Sequence, residues 1–86
     1  MVGLRSKLPP VNSLVVFEAA ARLGSFTRAA EALHLAQPTV STQIKKLTET
    51  VGVPLFEQIG KKVHLTPAGT ELHERCVELF ALFERI

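Results

Sequence analysis

Apolar positions recur along this chain in helical periods, interrupted once by alternation. Leu14, Phe17 and Ala21 share one face of a 3.6-residue period, with Val16 and Ala20 alongside. Gly24 supplies the left-handed stop. A helix is predicted over 14–23, capped by Asn12 or Ser13 through a side-chain oxygen. Ser25 or Thr27 can cap a second, short helix, Arg28–Leu33, whose Ala29, Ala30 and Ala32 let another helix cross close by. His34-Leu35 turns the chain. Val40, Ile44, Leu47 and Val51 then fall at i, i+4, i+7 and i+11, a narrow stripe closed by Gly52. Ala36 stands where a cap is wanted and has no acceptor, at a cost of about 1 kcal/mol. Pro38 is tolerable there, since first-turn amides lack helical partners, and the uncapped amides are expected to be free for a phosphate, a base or water.

After Val53-Pro54 the period changes. Val63 and Leu65 alternate with Lys62 and His64, as in a half-exposed strand, and Leu55–Ile59 flanks the Gly60-Lys61 turn on its other side. This predicts a hairpin with Lys61 and Lys62 at its tip. Two strands alone barely hold together, so the hairpin is expected to pack beside the helices as a wing. Thr66-Pro67 opens a last helix with a hydroxyl cap and a proline in the first turn. Leu72, Cys76, Leu79, Phe83 and Ile86 form its stripe, widened by Val77, Phe80 and Leu82. So small a domain cannot bury all of that face alone, which points to a second copy or more chain. The pattern still runs at Ile86, so the sequence reads as cut short. Two helices joined by three or four turn residues, the second with a polar outer face, form a helix-turn-helix.

Eighty-six residues make at most one domain. One cysteine excludes an internal disulfide and suits a reducing compartment. No apolar run approaches the ~20 residues of a membrane span. Residues 1–10 read as a tail ending in Pro9-Pro10, without the apolar stretch of a signal peptide. A cytoplasmic location, with no membrane partner, is expected. The net charge of +2 is small, but its distribution is uneven. Residues 1–65 hold eight Lys/Arg against four Glu; residues 66–86 hold two against four. A basic head suits a phosphate backbone and an acidic tail does not.

The third helix concentrates that chemistry. Pro38, Thr39, Ser41, Thr42, Lys45 and Lys46 lie opposite its apolar stripe, with no carboxylate before Glu49. Hydroxyls, cations and the Gln37 carboxamide can face a polyanion that also offers donors and acceptors, as a duplex major groove does, and Gln37 can read an adenine edge. Taken alone, such a face is more often structural, and the wing lysines can equally mark a solvated turn. A protein-interaction module is the competing reading. His73 and Cys76 at i, i+3, even with His64, do not make up a complete ligand set, so neither metal nor cofactor is expected. The chain has no Asp, no glycine-rich phosphate loop and no nucleophile–base–orienter set, which argues against an enzyme.

Phe17-Glu-Ala-Ala, Gly24-Ser-Phe-Thr-Arg-Ala-Ala-Glu-Ala-Leu-His34, Gln37-Pro-Thr-Val-Ser41, Gln43-Ile44, Leu47, Gly52-Val-Pro-Leu-Phe-Glu57 and Leu65-Thr-Pro-Ala-Gly69 resemble the LysR-type bacterial transcription regulators over about residues 10–86. Gln37–Leu47 with Phe56–Leu65 look most like the members that control Calvin-cycle (RuBisCO) operons. The resemblance implies a mainly α winged helix-turn-helix over 11–65, with three helices and a two-stranded wing. It also implies a long linker helix over 66–86 that pairs two subunits, and a C-terminal effector domain that is expected to lie outside this sequence. It implies double-stranded DNA as partner, a homodimer on an interrupted palindrome, a higher oligomer in the complete protein, and RNA polymerase as a further candidate partner. Gln37, Pro38, Ser41 and Thr42 match the groove-reading positions, and Thr39 joins them on the same face. Thr27 and Arg28 match the backbone-contacting start of the second helix, and Lys61 the wing residue near the minor groove. Many members carry Arg at the positions of Thr42 and Gln58, so phosphate affinity here is expected to lean on Lys45, Lys46, Lys61 and Lys62. Leu72, Cys76, Leu79, Phe80 and Phe83 are the expected dimer contacts.

Overall fold

The computed structural model describes residues 11–85; the expected tail over 1–10 and Ile86 lie outside them. The described chain runs α1 (Val11–Leu23), α2 (Phe26–Leu33), α3 (Gln37–Val51), β1 (Phe56–Ile59), β2 (Lys62–Leu65) and α4 (Pro67–Glu84). The mainly helical, winged helix-turn-helix expectation holds. Its details differ in ways that packing explains.

The first helix begins at Val11 and takes Asn12 and Ser13 into its first turn, so neither caps it as expected. Ser13 is fully buried, and its hydroxyl donates to Gln43 Oε1 at 2.6 Å instead of serving a local amide. The second helix starts two residues earlier than expected, because Ser25 is the cap in use: its Oγ accepts from the Arg28 amide at 3.1 Å. His34 closes α2 in the left-handed region at φ 56°, and the Leu35 amide reaches back to the Ala30 carbonyl at 2.9 Å. Ala29 and Ala30 are buried where α1 and α3 cross; Ala32 faces outward.

The third helix buries Val40, Ile44 and Leu47. The stripe ends one turn early, since Val51 is 42% exposed. With Phe17 and Leu55 these residues form the centre of the core, and Cys76 closes it from α4. The wing is antiparallel in the register Phe56↔Leu65, Glu57↔His64, Gln58↔Val63 and Ile59↔Lys62. Gly60 turns it at φ 64°, and Lys61 does not share that positive φ. Positive φ at the first central residue alone is the pattern of a type II′ turn.

Phe56 anchors the wing. Its ring lies 5.2 Å from Phe26 and 5.3 Å from Phe17, in edge-on and tilted arrangements that favour aromatic pairs. Thr66 joins the wing to α4 by two bonds: its Oγ1 donates to the Pro54 carbonyl at 2.7 Å and accepts from the Gly69 amide at 3.0 Å. Within the first turn of α4 the backbones meet. A Cβ on Gly69 would lie 2.0 Å from the Leu55 carbonyl oxygen, so only glycine permits this approach.

Candidate nucleic-acid interface

The core side chains of α3 set which residues face out. With Val40, Ile44 and Leu47 inward, Gln37, Pro38, Thr39, Thr42, Lys45 and Lys46 are exposed and Ser41 is half-buried. The outer face therefore carries amide, hydroxyl and ammonium groups, and the first turn has no acid. Gln37 Nε2 donates to Ser41 Oγ at 3.3 Å, one turn along the helix. This long bond holds the carboxamide over the helix start while leaving its oxygen available. Ala36 makes no side-chain cap bond, as expected, yet the first-turn amides are not all free. The Thr39 amide donates to the Ala36 carbonyl at 3.0 Å and Val40 to the same oxygen at 3.3 Å. Pro38 has no N–H, which leaves the Ala36 and Gln37 amides for an outside acceptor.

The hairpin folds back beside the α1–α2 turn. Between them lies an open cleft of about 560 Å³, into which Arg22, Arg28, Lys61, Lys62 and His64 are brought together. Thr27 is exposed next to Arg28, in the first turn of α2. Arg28 and the wing lysines are separate expectations in the sequence; the fold makes them neighbours. Arg22 and His64 escape sequence reasoning, because nothing in their spacing places β2 beside the end of α1. Arg22 is partly committed: its Nε donates to both oxygens of Glu18, at 3.1 and 3.4 Å.

Glu18 also faces α4. Its Oε2 lies 3.4 Å from His73 Nε2, so the i,i+4 pair with Arg22 extends to a triad that ties α4 to α1. Below it, burial, and secondarily the Glu18 charge, raise the Cys76 thiol above its ordinary pKa of 9.0. Cys76 is 2% exposed and already covered within its own chain, so its expected place at a dimer contact is corrected. Leu72 and Phe80 are half-buried and pack on the same core. Leu79 at 39% and Phe83 at 65% exposure stay open, joined by Val77 and Leu82. The helix thus divides its apolar residues between an inner and an outer face. Among the described residues no three His, Cys or Glu side chains gather as metal ligands, and no helix is long and apolar enough to cross a membrane.

A three-helix core, a helix-turn-helix whose outer face carries no acid before Glu49, and a basic wing define a winged helix-turn-helix. The family model of bacterial regulatory helix-turn-helix proteins of the lysR family matches residues 11–70, and the chain belongs to that family, one of regulators and not of enzymes. Among its relatives, the HTH-type transcriptional activator CmpR of Synechocystis is 67% identical over 59 residues, 69% of this chain and 19% of that protein. The RuBisCO operon transcriptional regulator of Acidithiobacillus ferrooxidans is 49% identical over 74 residues, 86% of this chain and 24% of that protein. The chain therefore spans about a fifth to a quarter of these relatives' length. Among solved structures, the BenM DBD in complex with catB site 1 DNA superposes with a TM-score of 0.84 at 33% identity, covering 88% of this chain and 84% of that one. Full-length CbnR complexed with its target DNA gives 0.81 at 32% identity, over 88% of this chain and 26% of that one.

Proposed function

We propose that this chain binds double-stranded DNA in a sequence-dependent way, as the DNA-binding part of a cytoplasmic LysR-type transcriptional regulator. In this reading residues 11–65 are the DNA-binding unit and residues 66–86 the linker helix. The observation that carries it is the outer face of α3. From Pro38 to Lys46 every polar side chain on it is neutral or cationic, and Thr42 and Lys45 are exposed, not sunk in the core. A solvated helix face has no need to exclude acids; a face laid against phosphates does.

In this reading α3 enters the major groove. Gln37, Pro38, Thr39, Ser41 and Thr42 meet base edges, and Gln37 trades its bond to Ser41 for a bidentate contact to adenine. Thr27, Arg28, Lys45 and Lys46 hold phosphates, and Lys61 and Lys62 follow the backbone beside the minor groove. Leu79 and Phe83, with Val77 and Leu82, pair with a second copy, which places two α3 helices on the halves of an interrupted dyad. The relatives named as RuBisCO operon regulators extend the reading to transcription of carbon-fixation genes, and the name of CmpR to activation.

Electrophoretic retardation of a random duplex at two salt concentrations tests the proposal. Retardation at low salt that fades at high salt is expected. No retardation at either would leave the fold as a protein-interaction module.

A further inference from the structure

Ile59 stands apart from every other apolar residue of the wing. Phe56 and Leu65 are half-buried against the core, and Val63 is half-buried in the crevice between the wing and α3. Ile59 is 60% exposed, the most exposed large hydrophobic residue outside α4 among the described residues. It sits at the end of β1, directly before the Gly60 turn, and its cross-strand partner is Lys62. Directly paired residues project from the same sheet face, so an aliphatic side chain and an ammonium group stand together at the tip. Gln58 is turned away from this role: it lines the apolar crevice between α3 and the wing with Val63, and its Nε2 lies 3.5 Å from the Gly60 carbonyl. The acid on the Ile59 face, Glu57, is two residue pairs further back, opposite His64.

We infer that Ile59 is a specificity-determining residue that reads the floor of the minor groove and selects A·T over G·C pairs there, an assignment that rests on the DNA-binding reading above. The lysines at the tip have the reach and charge for the phosphate walls of the groove, and neither tells one base pair from another. The aliphatic side chain beside them supplies what they lack. At an A·T pair the groove floor shows only the adenine N3 and thymine O2 acceptors, whereas a G·C pair adds the guanine 2-amino donor. An isoleucine over that donor displaces its water and offers no acceptor, so a hydrogen bond is lost without replacement. With 60% of the residue exposed, its truncation removes little of the wing's packing.

The test uses the 86-residue chain and duplexes carrying its preferred half-site, selected from a random library. Each pair flanking the half-site is set in turn to A·T, G·C or inosine·C, the last presenting the major-groove edge of G·C without the 2-amino group. Wild type is expected to bind the A·T and inosine·C forms alike and the G·C form roughly tenfold more weakly at one flanking step. Ile59→Ser is expected to abolish that ratio, and Ile59→Val to keep most of it. Equal binding of all three forms by wild type, with the half-site still preferred over random duplex, would overturn the assignment and leave the DNA reading standing. So would a ratio that survives in Ile59→Ser, since groove width and the lysines would then be its source. Failure of wild type to bind any duplex would remove the DNA reading itself, and this assignment with it.

Discussion

The Ser13 hydroxyl donates to Gln43 Oε1 at 2.6 Å and so fixes α3 to α1 across thirty residues of sequence. Gln43 lies on the flank of α3, next to the exposed Thr42, so the bond adds to the apolar stripe in holding the rotation of the polar face. Ser13→Ala removes a fully buried donor and strands a part-buried acceptor. It is expected to cost about 1–2 kcal/mol, read from the urea midpoint. An unchanged midpoint would mean that water replaces the hydroxyl and that the rotation is set by apolar packing alone.

Gly69 carries a second long-range constraint. Alanine ordinarily favours a helix over glycine by about 1 kcal/mol. Here its Cβ would fall 2.0 Å from the Leu55 carbonyl oxygen and 3.0 Å from Leu65 Cδ2, and a backbone oxygen cannot swing aside. Gly69→Ala is expected to lower stability by about 2 kcal/mol, the cost of overpacking. Thermal unfolding should fall by roughly 10 °C on that account. A stabilised variant would show that the α4–wing junction is loose.

These two positions also mark what the sequence can and cannot reveal. Helix periods, the Gly52 and Gly60 stops and the Thr66 cap are legible, because each depends on neighbours within a few residues. Ser13 reads as a cap because its true partner lies thirty positions away, and Gly69 as part of a helix start because the Leu55 carbonyl it meets is invisible to spacing. The outer face of α3 is legible from its missing acids. The joining of Arg22, Arg28 and His64 with the wing lysines is not, since it depends on how the hairpin folds back. The apolar stripe of α4 is legible as a whole. Its division, with Cys76 inward and Phe83 outward, depends on how α4 crosses α1.

The outer face of α4 is the proposed contact with a second copy. Leu79→Asp and Phe83→Asp place a charge on residues that their own chain leaves open, so helical circular dichroism is expected to persist. Light scattering should report a dimer for wild type and a monomer for either variant. A wild-type monomer, or variants that remain dimeric, would move the pairing surface elsewhere.

Lys62 is proposed to hold a phosphate and read no base. Lys62→Ala is therefore expected to weaken specific and random duplexes alike and to flatten the dependence of log affinity on log salt by about one unit. A loss confined to one sequence would make Lys62 a base reader.

The central claim, that the start of α3 reads bases, is tested most directly by the affinity of Gln37→Ala for the selected half-site and for random duplex at the same salt. Gln37 is exposed and, among the described residues, its carboxamide bonds only to Ser41, so the substitution leaves the core alone. The expected result is a loss of roughly 1–3 kcal/mol on the half-site, with random duplex unchanged. Equal losses on both would contradict it.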